Sequence, residues 1–262
     1  MTIKDIYVHV GLPKTGTTFL QRNLAKIKNK LLDEGVKYYY CNNISSYGES
    51  LDDKITKIII SWEKYSQPIG FGDFEKIIEI SKEKYQIDID RIRILICFRE
   101  QISLIESIFS QRIKEGQLFS DINEFIENDL SKYFLYDYKD LIDFYISLDI
   151  KKENILYFWY EDYYRRGISH FFDWFRKATH IESSIPIVLN DPSTYNKGLS
   201  KSQINALSGQ KCNINVRKAL EKENKNVNMY RKFLVDSEFE KQIRKKYELS
   251  NKDLGFNHTI DE

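Results

Sequence analysis

The chain has 262 residues, 42% of them hydrophobic and 14% aromatic, enough to bury a sizeable core in one large or two small domains. A formal net charge of +1 excludes a global field that would gather nucleic acid or an anionic membrane, so the 30% of residues that are charged must act locally. Three cysteines, Cys41, Cys97 and Cys212, are far apart and odd in number, a reduced intracellular pattern rather than a disulfide framework.

In chain order, Ile6 to Val10 reads as a short buried strand. Gly11, Pro13 and Gly16 break it, and Thr17-Thr18 opens a helix with Leu20, Leu24, Ile27 and Leu31 on one face, ending near Gly35. Val36 to Cys41 is a second strand, Asn42 to Asp53 a polar loop, and Ile55 to Ile60 a strand that ends at Ser61-Trp62-Glu63. Phe74 to Tyr85 has helical spacing. Ile92 to Phe98 (IRILICF) is apolar on both faces apart from Arg93, as suits the middle of a covered parallel sheet. A helix from Gln101 to Lys114, a largely helical stretch from Ile122 to Leu148, a strand from Ile155 to Trp159 and a helix from Ile168 to Ala178 follow. From Lys211 to Glu262 the chain is charged and mostly helical. This alternation predicts an α/β class protein: three layers, α/β/α, around a mainly parallel sheet, with a helical C-terminal extension. A single domain over 1–262 is expected, with a core over 1–180 and a helical segment over 181–262. No apolar run nears the roughly eighteen residues of a membrane helix, and no basic-then-apolar leader is visible, so a cytoplasmic protein is expected.

Strand, glycine-bounded loop and helix start make an anion site, because backbone N–H groups and the positive helix end converge there. Lys14 adds a cation, and Thr15, Thr17 and Thr18 add hydroxyls around Gly16. The Walker pattern would put lysine directly after the second glycine. Here Thr17 holds that place and the lysine has moved inside the loop. Ligands of open α/β sheets bind outside the carboxyl ends of the strands. Those ends carry the Gly11–Thr18 loop, Ser61 and Glu63, Arg99 and Tyr160. After Arg99, the residues Ser103, Ser107, Ser110, Gln111 and Lys114 share one narrow helical stripe, mainly small hydroxyls and an amide, as suits a surface facing a ligand.

The PKTGTTF stretch resembles the 5′-phosphosulfate loop of sulfotransferases that use 3′-phosphoadenosine 5′-phosphosulfate (PAPS). The resemblance extends in order over most of residues 1–200. It implies that Lys14 meets the bridging oxygen and the sulfuryl group, and that Arg99 and Ser107, at the family's separation, grip the 3′-phosphate; a planar guanidinium fork suits a phosphate dianion. In Phe158-Trp159-Tyr160-Glu161-Asp162, Tyr160 matches the family's adenine contact, with Phe19 as a stacking face. Lys197 and Gly198 in Tyr195-Asn196-Lys197-Gly198 match a loop closing over the 3′-phosphate, although Asn196 stands where cytosolic members have Arg. The C-terminal part resembles bacterial carbohydrate-type members.

The resemblance implies sulfuryl transfer from PAPS to an acceptor hydroxyl on a carbohydrate or glycolipid, or on a small molecule, with 3′-phosphoadenosine 5′-phosphate (PAP) released. For the base, Glu63 comes first, because it follows a strand on the ligand side, with Glu49 and His9 in reserve. No metal is expected: the four histidines have no ligand spacing, and no strand ends in the Asp that holds Mg²⁺ in a P-loop kinase. Two other readings remain, a P-loop kinase or nucleotide hydrolase, and a non-catalytic nucleotide-binding protein.

Overall fold

The computed structural model describes residues 3–40, 47–130, 137–181, 204 and 237–255. The chain divides into two compact units, residues 1–99 with 137–189, and residues 100–136 with 190–262. In chain order the elements are β1 (Asp5–His9), α1 (Thr17–Lys26), α2 (Lys28–Asp33), β2 (Val36–Tyr40), β3 (Lys57–Ser61), α3 (Phe71–Tyr85) and β4 (Ile92–Phe98). The second unit then contributes α4 (Gln101–Glu115) and α5 (Ile122–Phe125). The first resumes with α6 (Tyr138–Ser147), β5 (Ile155–Trp159), α7 (Tyr160–Arg166) and α8 (Ile168–Thr179), and α9 (Ser237–Asp253) belongs to the second.

Five strands of the first unit form one sheet in the order β2-β3-β1-β4-β5, and every pairing is parallel. The apolar run expected at its middle is β4, an interior strand beside the central β1, and its Ile92, Ile94, Leu95, Ile96, Cys97 and Phe98 are all buried. A large aliphatic or aromatic side chain gains roughly 1.5–3 kcal/mol by leaving water in this way.

Chain direction fixes the layers. After β1 the chain crosses towards β2, whereas after β3 and β4 it crosses the other way. Right-handed crossovers in opposite directions put their helices on opposite faces. Ring contacts agree. On one face α1 meets α8 through Phe19 and Phe172, with Phe175 of α8 edge-on to His9 of β1. On the other, α3 stacks on α6 through Phe71 and Phe144, 3.6 Å between ring centres, and through Phe74 and Tyr145. The direction of crossing reverses between neighbours β1 and β4, the place where an open α/β sheet offers a crevice.

Several boundaries differ from those read in the sequence. The helix after the loop is two helices, broken at Ile27, which no Gly or Pro marks because Ile27 stays on the buried face. Helix α3 starts three residues early, fed by a 3₁₀ turn over Pro68–Gly70; there a side chain on Gly70 would meet the Lys64 carbonyl at 2.0 Å. Residues 122–130 form a short helix followed by a π-helical turn.

In the second unit α9 packs on α4. Gln101 and Asn251 exchange two buried side-chain amide hydrogen bonds of 2.9 and 2.7 Å, and Arg244 pairs with Glu100 at 3.1 Å. The Glu100 carboxylate also caps α4 by accepting from the Ser103 N–H. Phe109, Phe119 and Phe125 make an aromatic cluster beneath. On the stripe expected to face a ligand, Ser103, Ser107 and Lys114 are half-buried, Ser110 is buried and Gln111 is exposed.

Candidate active site

The loop between β1 and α1 is built on left-handed backbone at Gly11 (φ 44°), Lys14 (φ 67°) and Gly16 (φ 80°). Gly11 is required by space as well: a Cβ there would lie 2.2 Å from the Thr17 methyl and 3.4 Å from the His9 ring. Lys14 has no such freedom, and its left-handed conformation costs roughly 1–2 kcal/mol. Something must hold it, and the hydrogen bonds show what does.

Three carbonyls of the loop are turned back into the protein. Thr15 Oγ1 donates to the Leu12 carbonyl at 2.6 Å, Arg99 Nη1 donates to the Lys14 carbonyl at 2.7 Å, and the Cys97 thiol lies 3.6 Å from the Thr15 carbonyl. A trans peptide sets its N–H opposite its C=O. Drawing the Lys14 and Thr15 carbonyls towards the end of β4 therefore aims the Thr15 and Gly16 N–H groups the other way. Gly16 caps α1 without any side-chain bond to the helix, so the first-turn amides add to the same concave donor surface. A surface of this kind binds anions.

Thr17, where a Walker lysine would stand, is buried, and its hydroxyl donates to Glu63 Oε1 in a short bond. Glu63 opens the 3₁₀ turn that follows β3 and is half-buried. Burial pushes its carboxyl above the ordinary glutamate range, against smaller opposing effects of the Thr17 bond and the Lys14 ammonium. The Lys14 ammonium is thus near enough to Glu63 for its charge to act on that carboxyl.

Arg99 follows β4 and lies with its guanidinium carbon 4.7 Å from the centre of the Tyr160 ring, a cation–π contact worth about 0.5–1 kcal/mol at a partly exposed site. Tyr160, the first residue of α7, also lines a pocket with Thr15, Gly16, Phe19, Cys97 and Phe171. The two aromatics singled out in the sequence, Phe19 and Tyr160, are walls of one cavity. Burial pushes the Cys97 thiol well up, so it is a neutral lining group.

The structure brings Lys14, Thr15, Gly16, Thr17, Phe19, Glu63, Arg99 and Tyr160 together at the carboxyl ends of β1, β3, β4 and β5, with Thr18 half-buried in the first turn of α1. Other candidates lie outside this group, and His9, though it ends β1 at the same edge, is turned into the core. His9 is wholly buried: its Nδ1 lies 2.8 Å from Ser61 Oγ, which also accepts from Gln21 Nε2 at 3.1 Å, and burial lowers its pKa to about 4. It is a neutral core histidine beneath the loop. Glu49 is exposed beside Tyr85, whose hydroxyl bonds to the Glu49 carbonyl at 3.3 Å, in the last turn of α3 and at the opposite end of the sheet. Ser107 belongs to the second unit. Lys197 and Gly198 lie outside the described residues. Around the second strand and the loop after it, Tyr39 and Tyr47 are core, with Tyr47 bonded to Ser81 at 2.8 Å, and residues 41–46 lie outside the described set.

Sequence reasoning missed Cys97 and Phe171 as lining groups. The signal for Cys97 was its register, two residues before Arg99 and so on the same face of β4.

No protein-family model matches the chain, and no curated protein matches it in sequence. Among the solved structures similar to it are the following three. Mouse sulfotransferase SULT7A1 complexed with PAP is 16% identical with a TM-score of 0.48, covering 95% of this chain and 84% of that one. Retinol dehydratase complexed with retinol and PAP is 13% identical with a TM-score of 0.48, over 97% and 82%. Retinol dehydratase with androsterone and inactive cofactor PAP is 14% identical with a TM-score of 0.46, over 100% and 84%. Among the described residues, no three His, Cys, Asp or Glu side chains gather as a metal site needs, and no helix is long and apolar enough to cross a membrane.

Proposed function

We propose that the protein is a sulfotransferase that takes a sulfuryl group from PAPS to an acceptor hydroxyl and releases PAP. The observation that carries this reading is the exchange of roles around Thr17: the Walker lysine position is a buried threonine bonded to a carboxylate, while the lysine sits inside an amide-lined loop beside that carboxylate. A lysine and a raised carboxylate flanking one anion site suit transfer to a hydroxyl.

The residues have separable tasks. Loop amides and Lys14 stabilise charge growing on the 5′-phosphate side, preorganised electrostatics worth several kcal/mol. Glu63 takes the acceptor proton, and its raised pKa matches that work. Thr17 orients the Glu63 carboxylate. Tyr160 meets the base at the edge of the small pocket it shares with Phe19, and Arg99 takes the 3′-phosphate. His9 and Glu49 are not needed as bases in this account. The acceptor hydroxyl is carried by a carbohydrate or glycolipid, the acceptor class that the resemblance implies.

The test is transfer of labelled sulfate from PAPS to a panel of glycans, glycolipids and small hydroxylated molecules, with chelator present. Labelled product with matching release of PAP is expected. Turnover of ATP or GTP, with none of PAPS, would overturn the reading.

A further inference from the structure

Arg99 meets the loop directly, whereas a 3′-phosphate would lie at the far end of the nucleotide. Its Nη1 donates to the carbonyl of Lys14, the non-glycine residue of the loop whose φ is positive, at 67°. A left-handed residue with a side chain persists only where its surroundings hold it. The peptide from Lys14 to Thr15 has two orientations of consequence. In one, the carbonyl points to Arg99 and the Thr15 N–H faces the anion surface. In the other, the carbonyl oxygen itself faces that surface and repels a phosphate. The bond from Arg99 selects the first.

The guanidinium is in turn fixed in direction. It lies over the Tyr160 ring, and that ring is a wall of the pocket shared with Gly16, Phe19, Cys97 and Phe171. Cys97, on the same face of β4, engages the next carbonyl, that of Thr15. The end of β4 thus acts as a two-point clamp on successive loop peptides.

We infer that Arg99 is a positioning residue for Lys14, setting the 5′ end of the site by holding the Lys14 carbonyl. This rests on the reading that the loop takes the 5′-phosphate of an adenosine nucleotide, and adds to Arg99 a task at the end opposite the 3′-phosphate.

Calorimetry with PAP, adenosine 5′-phosphate and adenosine 3′-phosphate on wild type and Arg99→Ala separates the two ideas. The inference predicts that Arg99→Ala weakens adenosine 5′-phosphate, which has no 3′-phosphate, by roughly tenfold or more, the usual scale for a hydrogen bond from a charged group. With PAPS as donor, kcat falls while the KM for acceptor holds, a split that general destabilisation would not give. If Arg99→Ala weakens only the two ligands carrying a 3′-phosphate and leaves adenosine 5′-phosphate unchanged, the inference is wrong and the donor reading stands. If wild type binds none of the three, the donor reading itself fails, and the inference with it. Arg99→Met, which keeps much of the side-chain length but has no N–H donor, decides if the alanine variant lacks a cooperative unfolding transition: a weaker adenosine 5′-phosphate supports the clamp, and unchanged affinity overturns it.

Discussion

The two ends of the sheet are made differently. At the amino ends of the strands, charges meet ordinary partners: Asp5 pairs with Arg93 at 2.7 Å and Asp90 with Lys151 at 2.5 Å, and Lys57 donates to the His180 carbonyl at 2.6 Å. Left-handed residues there, Gln86 and His180, close helices, where such backbone is common. At the carboxyl ends, a left-handed lysine sits mid-loop, three carbonyls are drawn inward, and a carboxyl is held above its usual range by burial. A left-handed lysine inside a loop, beside a carboxyl raised by burial, distinguishes the carboxyl ends from the amino ends.

Substitutions can break that contrast, the largest effect first. Glu63→Gln should lower turnover by roughly two to four powers of ten. In wild type, kcat should rise with pH through the Glu63 pKa, which lies above the ordinary value of 4.5, because the base works ionised; pH–rate profiles should lose that limb in the variant. Lys14→Ala should cost roughly two to three powers of ten in kcat while partly sparing PAP binding, read by steady-state kinetics beside calorimetry. His9 sharpens the contrast through stability. Its folded pKa of about 4 lies below the ordinary 6.5, so the unfolded chain binds the extra proton between those values, and stability rises with pH across that window by roughly 3 kcal/mol. Denaturant unfolding of His9→Asn should lack that slope below pH 6.5. The smallest effect belongs to the amino ends. Asp5→Asn should shift unfolding by about 1 kcal/mol or less, with PAP affinity equal to wild type.

Much of the carboxyl-end site was legible in the sequence. The glycine spacing, the displaced lysine and the run ending in Arg99 gave the loop, an interior strand and the placing of Lys14 and Arg99 in one crevice, because strand ends and glycine-bounded turns are local signals. The pocket shared by Phe19 and Tyr160 was legible as two candidates, though not as one cavity. Tertiary facts were not. Nothing local tells that Arg99 engages the Lys14 carbonyl, or that Glu63 accepts from Thr17, since those partners lie 85 and 46 residues apart. Glu49 and Glu63 look alike as loop carboxylates after strands. Only the docking of Tyr85 beside Glu49 puts them at opposite ends of the sheet.

The central claim is that the carboxyl-end crevice takes an adenosine carrying phosphates at both ends, without a metal. Calorimetric titration of the wild-type chain with PAP, with and without chelator and beside ATP with Mg²⁺, tests it most directly. Micromolar binding of PAP that chelator does not alter is the expected result. Preference for ATP with Mg²⁺ over PAP would contradict it.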